Sequence, residues 1–111
     1  MLTTGLKRIG TSGCSVHVVG EIDVSTVPKL RASLGHAIHL ADVDIVVLDL
    51  ADVTLLDASG IGLLIQCKQE LNRAGKAFRV VGAHGIVARV LELTRVDEYL
   101  GVELSRPEVL T

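Results

Sequence analysis

Apolar residues fall along this chain in two rhythms, one with a period of two and one near 3.6 residues, and their alternation predicts an α/β domain. Leu6 to Ile9 and Cys14 to Val19 read as strands flanking a turn at Thr11-Ser12-Gly13. Gly20-Glu21-Ile22-Asp23 reads as a turn. Ser25 or Thr26 then caps a first helix, with Pro28 in its first turn, where a missing N–H costs little. Val27, Leu30, Leu34, Ile38 and Ala41 recur at helical spacing. Ile45 to Leu50 is a nearly continuous apolar run, which predicts a central strand covered on both faces. Asp57 to Gly60 breaks the chain before a second helix, about Ser59 to Ala74, with Ser59 at or near its N-cap and Gly75 to stop it. Ile61, Leu64, Lys68 and Leu71 share its stripe. Phe78 to Val81 is a strand, Ile86 to Thr94 a third helix and Leu100 to Leu104 a last strand. The expected architecture is one domain over 1–111, with its core at about 6–104. Its sheet is mixed but mostly parallel, with an antiparallel edge strand and packed helices.

Composition narrows the function. Hydrophobic residues make up 49% of the 111, which is enough for one core, and charged residues 22%. Phe78 and Tyr99 are the only aromatic residues, and the net charge is −2, from 11 Lys and Arg against 13 Asp and Glu. A surface that stacks bases or tracks phosphates needs more of both rings and cations, so no direct nucleic-acid partner is expected. Met1 to Gly10 contains no apolar signal core, and no apolar run has membrane-spanning length, so the expected location is the cytoplasm, away from membranes. Cys14 and Cys67 stand far apart in apolar contexts and read as buried thiols.

The candidate chemistry lies in two turns. Asp57-Ala58-Ser59-Gly60-Ile61-Gly62 places a carboxylate, a hydroxyl and two glycines at a helix start. Asp23-Val24-Ser25-Thr26 places a carboxylate and two hydroxyls at another. In a parallel α/β unit, turns that follow strands gather at one end of the sheet, where sites tend to form. A plain capped helix accounts for the same residues at either place. No enzyme signature fits. Ile65 stands where a dinucleotide loop needs its third glycine, and Asp57 where a nucleophile elbow needs its first. His36 and His39 lie three apart without a third ligand, so no metal and no cofactor is expected. His17 and His84 belong to no recognisable pattern.

Gly20-Glu21-Ile22-Asp23 followed by Thr26, and Asp44 to Leu50 followed by Asp57-Ala58-Ser59-Gly60-Ile61-Gly62, resemble the two signatures of the STAS-domain anti-sigma factor antagonists. The resemblance covers about Leu6 to Leu104. It implies a protein that is not an enzyme, which binds an anti-sigma factor, usually a serine kinase, and so frees a sigma factor. The kinase, which brings ATP and Mg²⁺, phosphorylates a hydroxyl at the start of the second helix and blocks binding; a phosphatase restores it. The implied partner surface is Asp23, Ser25, Thr26, Asp57, Ala58, Ser59, Gly60, Ile61 and Gly62. The family pattern places its acceptor hydroxyl where this chain has Ala58, so either Ser59 is the phosphoacceptor or this loop is not switched by phosphorylation. The family also continues into a longer final helix, where this chain has Ser105 to Thr111. Two other roles fit the same turns: a STAS subunit of a lipid-transport or stress-signalling assembly, and a small-ligand or nucleotide sensor. Co-purifying partners distinguish the first, and native mass spectrometry for a bound ligand the second.

Overall fold

The outermost hairpin begins the sheet. In the computed structural model, which describes residues 1–104, β1 (Leu2–Ile9) lies antiparallel to β2 (Gly13–Ile22). There follow α1 (Val27–Ile38), β3 (Ile45–Leu56), α2 (Ala58–Arg73), β4 (Ala77–Ala83), α3 (Gly85–Leu93), the short α4 (Asp97–Leu100) and β5 (Val102–Leu104). The five strands lie side by side in chain order, and every pair after the first is parallel. Each parallel strand steps the same way across the sheet, so right-handed crossovers carry the helices to one face. The tail from Ser105, with Pro107, lies outside the described residues.

Burial follows from that one-sided covering. Cys14, Val16 and Val18 of β2, Val46, Leu48 and Leu50 of β3, and Phe78 and Val80 of β4 point under the helices and are buried. They meet Leu30 and Leu34 of α1 and Leu64 and Leu71 of α2 in one core. The alternate positions, Ser15 and His17, Ile45, Val47 and Asp49, and Arg79 and Val81, face the other side and are half-buried or exposed. β3 is therefore central, as expected, but it is not covered on both faces. Its apolar run reflects one buried face and one face of β-branched residues shielded only by neighbouring strands.

Several boundaries differ from expectation, each for a local reason. Gly20 to Ile22 is strand, not turn. A bulge there puts Gly20 at a φ of 119°, and a Cβ on it would lie 2.1 Å from the Met1 carbonyl oxygen. Only glycine lets the two strands close at that point. β1 accordingly starts at Leu2, which is buried. α1 ends at Ile38, so Ala41 lies outside it and is exposed. The Lys76 ammonium donates to the Ile38 and Leu40 carbonyls at 2.8 and 3.0 Å, which satisfies that helix end. α2 closes beyond its cap Ala74, where the Lys76 N–H reaches the Leu71 carbonyl at 2.8 Å. Both cysteines are free and buried, and burial pushes the Cys67 thiol up to about 11.

Candidate functional site

β2 and β3 end together. Ile22 pairs with Leu56, and the Asp57 N–H donates to the Ile22 carbonyl at 3.1 Å. The residues that follow the two strands, Asp23 and Asp57, therefore start two loops side by side, although 34 positions separate them.

The loops share one construction. Oδ1 of Asp23 accepts from the Ser25 N–H at 2.9 Å, the Ser25 hydroxyl at 2.7 Å and the Thr26 N–H at 3.1 Å. Oδ1 of Asp57 accepts from the Ser59 N–H at 3.0 Å, the Ser59 hydroxyl at 2.5 Å and the Gly60 N–H at 3.2 Å. Both carboxylates sit below their ordinary value of 3.8, Asp23 first through the Ser25 hydroxyl and Asp57 first through the Ser59 hydroxyl. The like charge of Asp23 pushes Asp57 the other way, which marks how close the loops are. Two fixed negative charges and two serine hydroxyls thus form one patch.

Caps fall on other residues than expected. Asp57, not Ser59, is the N-cap of α2, because its carboxylate is the oxygen that reaches the first free N–H groups; Ser59 lies inside the first turn. Thr26 holds the cap position of α1, but its hydroxyl makes no cap bond. It donates to the Glu21 carbonyl at 2.7 Å and accepts from the Asp23 N–H at 2.9 Å, and it is buried. Thr26 is thus the internal brace of the first loop.

The sequence-predicted residues divide by orientation. Ser25, Ala58 and Gly62 are exposed, and Asp23, Asp57 and Ser59 are half-buried at the surface. Gly60 and Ile61 turn inward and are buried. A Cβ on Gly60 would lie 2.5 Å from Cγ2 of Ile22 and 2.6 Å from Cδ1 of Leu56, so the glycine lets α2 seat on the ends of both strands. Gly60→Ala gains up to about 1 kcal/mol in helix propensity but overpacks by about 1–3 kcal/mol. Two contacts below 3.0 Å place the cost in the upper part of that range, so the expected net loss is about 1–2 kcal/mol, read as a lower denaturation midpoint at unchanged slope. A midpoint equal to the parent's would contradict this packing.

Sequence reasoning missed Val24. It is 76% exposed between Asp23 and Ser25, an aliphatic tip in an otherwise polar patch. The available signal was an apolar residue that no strand or helix period claims. A groove of about 450 Å³ lies elsewhere, lined by His39, Glu70, Arg73 and Lys76. It is some 20 Å along α2 from Ser59.

Acid should loosen both loops. Carboxylates held below 3.8 in the folded chain contribute stability that is present above that pH and is lost as pH falls through the lowered values. Thermal midpoints measured from pH 6 down to 2 should fall below about pH 4, and Asp57→Asn should flatten part of that fall. An Asp57→Asn profile that overlays the parent's would remove Asp57 from the linkage.

The geometry defines a class: a one-sided α/β domain that presents an acidic and hydroxyl patch at the ends of two parallel strands. The STAS domain family model matches residues 4–109, and the chain belongs to the STAS family. It is 32% identical over 87 residues to the anti-sigma-B factor antagonist of Staphylococcus aureus, a match that covers 78% of this chain and 80% of that protein. Among solved structures, an anti-sigma factor antagonist from Mycobacterium paratuberculosis superposes with a TM-score of 0.82 at 27% identity, over 99% of this chain and 88% of the other. The Bacillus cell fate determinant SpoIIAA in its phosphorylated form shares the fold, with a TM-score of 0.70 at 18% identity over 96% and 94% of the two chains. Among the described residues, no helix is long and apolar enough to cross a membrane.

Proposed function

We propose that this chain is an anti-sigma factor antagonist of the cytoplasm, which binds a kinase-type anti-sigma factor and thereby releases a sigma factor. The observation that carries this reading is the pair of Asp–Ser turns held side by side at the ends of β2 and β3. Asp23, Val24, Ser25, Ala58, Ser59 and Gly62 supply the contact surface, and Asp57, Thr26, Gly60 and Ile61 hold it in shape. The names of the Staphylococcus relatives support the same role. The chain acts by binding and carries no chemistry of its own.

Ser59 is the phosphoacceptor in this reading. The kinase moves the γ-phosphoryl group of its ATP to Ser59 Oγ, the hydroxyl proton leaves, and ADP departs. The modified chain no longer binds, and a phosphatase returns the hydroxyl. SpoIIAA, whose fold this chain shares, exists in a phosphorylated form, which is consistent with such a switch.

Asp23→Asn tests the surface. The amide oxygen can still accept from Ser25 and Thr26, so the loop persists while its charge is gone. Affinity for the anti-sigma factor, measured by calorimetry, should drop about tenfold or more, with the melting temperature nearly unchanged. Equal affinity in parent and variant would take Asp23 out of the interface.

A further inference from the structure

His17 stands on the open face of β2 where β3 carries one residue too many. His17 pairs with Asp49 and Val19 with Asp52, so two steps along β2 match three along β3. That is a β-bulge. The imidazole faces a carboxylate from each of its nitrogens. Nδ1 lies 3.1 Å from Oδ2 of Asp49, and Nε2 lies 2.9 Å from Oδ2 of Asp52.

The bulge itself is held by the Asp49 side chain of β3 and by His84, the residue that follows β4. The Ala51 N–H donates to Oδ1 of Asp49 at 2.9 Å, and the Ala51 carbonyl accepts from Nε2 of His84 at 2.8 Å. Gly82 has a φ of 78°, and a Cβ there would lie 2.7 Å from Oδ1 of Asp49 and 2.9 Å from the Ala51 nitrogen. Pairing of β3 with β4 stops at Asp49 and Val81. From Leu50 to Leu56, β3 therefore has only β2 as a strand neighbour, and this is the stretch that ends at Asp57.

We propose that His17, Asp49 and Asp52 form a protonation latch in which the imidazolium clasps both carboxylates and ties the outer half of β3 to β2. A neutral imidazole has one N–H and one lone pair. It can donate to only one of the two carboxylates, and its lone pair then faces the other, so loss of the proton opens one side of the clasp. The proton comes from and returns to solvent, since the ring is 43% exposed.

The surroundings favour the charged ring. The hydrogen bond to Asp49 comes first in raising the His17 pKa above its ordinary 6.5; partial burial acts against it, and Asp52 adds to the rise. Other charged groups on this face are Lys7 of β1, opposite Ser15 and two positions from Gly5, which pairs with His17, and Arg79 of β4, opposite Val47. His84 caps the bulge from the end of β4, and Glu103 of β5 stands opposite Val81. Lys7 and Arg79 are exposed and screened by solvent, whereas both carboxylates touch the ring. A raised pKa means the latch's contribution is complete below about pH 6.5 and is lost as pH rises through the folded value. The window therefore opens above pH 6.5, on the high side of the range in which an ordinary His titrates.

A pH titration of the isotope-labelled chain by NMR tests the latch. His17 should titrate with a midpoint above 6.5, and the backbone amides from Asp52 to Leu56 should shift with that same midpoint. Asp49→Asn, which retains an acceptor for the Ala51 N–H, and Asp52→Asn should each lower the midpoint, and the amide shifts should follow it or vanish. His84→Gln should leave the coupling in place. A parent midpoint at or below 6.5, amides that ignore the His17 transition, or coupling that disappears with His84 would each overturn the latch.

Discussion

Leu48→Asp should abolish cooperative folding. Leu48 has no exposed surface and lies between Val16 of β2 and Val80 of β4, which have none either. An unpaired carboxylate there has no hydrogen-bond donor to meet it, and its burial costs several kcal/mol. The lost aliphatic packing adds to that. The total is comparable to the whole margin of a small domain, about 5–15 kcal/mol. The neighbouring change, Val47→Asp, should behave quite differently. Val47 faces the open side, between Ser15 and Arg79, so a carboxylate there keeps its water and gains a cation opposite. Its expected cost is about 1–2 kcal/mol, and the variant should melt cooperatively. Circular dichroism melts of the pair decide the matter. A folded Leu48→Asp, or an unfolded Val47→Asp, would mean that the buried face of β3 has been assigned to the wrong side.

The second large effect is expected at Ser59. Incubation with the cognate kinase and ATP should place one phosphate there, and affinity for that kinase should fall about a hundredfold, or about 2.7 kcal/mol. The fold should tolerate the group. A phosphoserine in the first turn of α2 lies at the positive end of the helix dipole, where Asp57 already holds the Ser59 and Gly60 N–H groups. The partner should not tolerate it. Phosphate adds about −1.5 to −2 charges to a patch that already holds Asp57 and Asp23. It also removes the hydroxyl proton that Ser59 donates to Asp57 at 2.5 Å, so the modified side chain must turn outward. Ser59→Asp should weaken binding without unfolding, and Ser59→Ala should accept no phosphate but still bind. Peptide mapping that finds the phosphate on Ser25 or Thr54, or undiminished binding by the phosphorylated chain, would contradict the assignment.

Element order was legible in the sequence because long amphipathic segments announce themselves. Leu30, Leu34 and Ile38, and again Ile61, Leu64 and Leu71, form the helix faces their spacing implies. What stayed hidden depends on geometry that periodicity does not encode. The bulge at Gly20 breaks the period of two, so the end of β2 looks like a turn. α4 has four residues, too few to show any period. The valines and isoleucine of β3 read as buried on both sides, because β-branched residues suit any strand and not only a covered one. At the site, both loops were visible as acidic and hydroxyl clusters. The choice between Asp57 and Ser59 as the cap rests on which oxygen reaches the free N–H groups. His17 and Asp49 lie 32 positions apart, and only strand register brings them together.

The most direct test of the account is release of the sigma factor itself. RNA polymerase, the sigma factor and its kinase-type anti-sigma factor should be combined so that transcription from the cognate promoter is silent. Adding the unphosphorylated chain should restore transcription in proportion to its concentration, while Asp23→Asn and the Ser59-phosphorylated chain should restore far less. A promoter that stays silent with excess unmodified chain, or that responds equally to all three forms, would contradict the proposed antagonism.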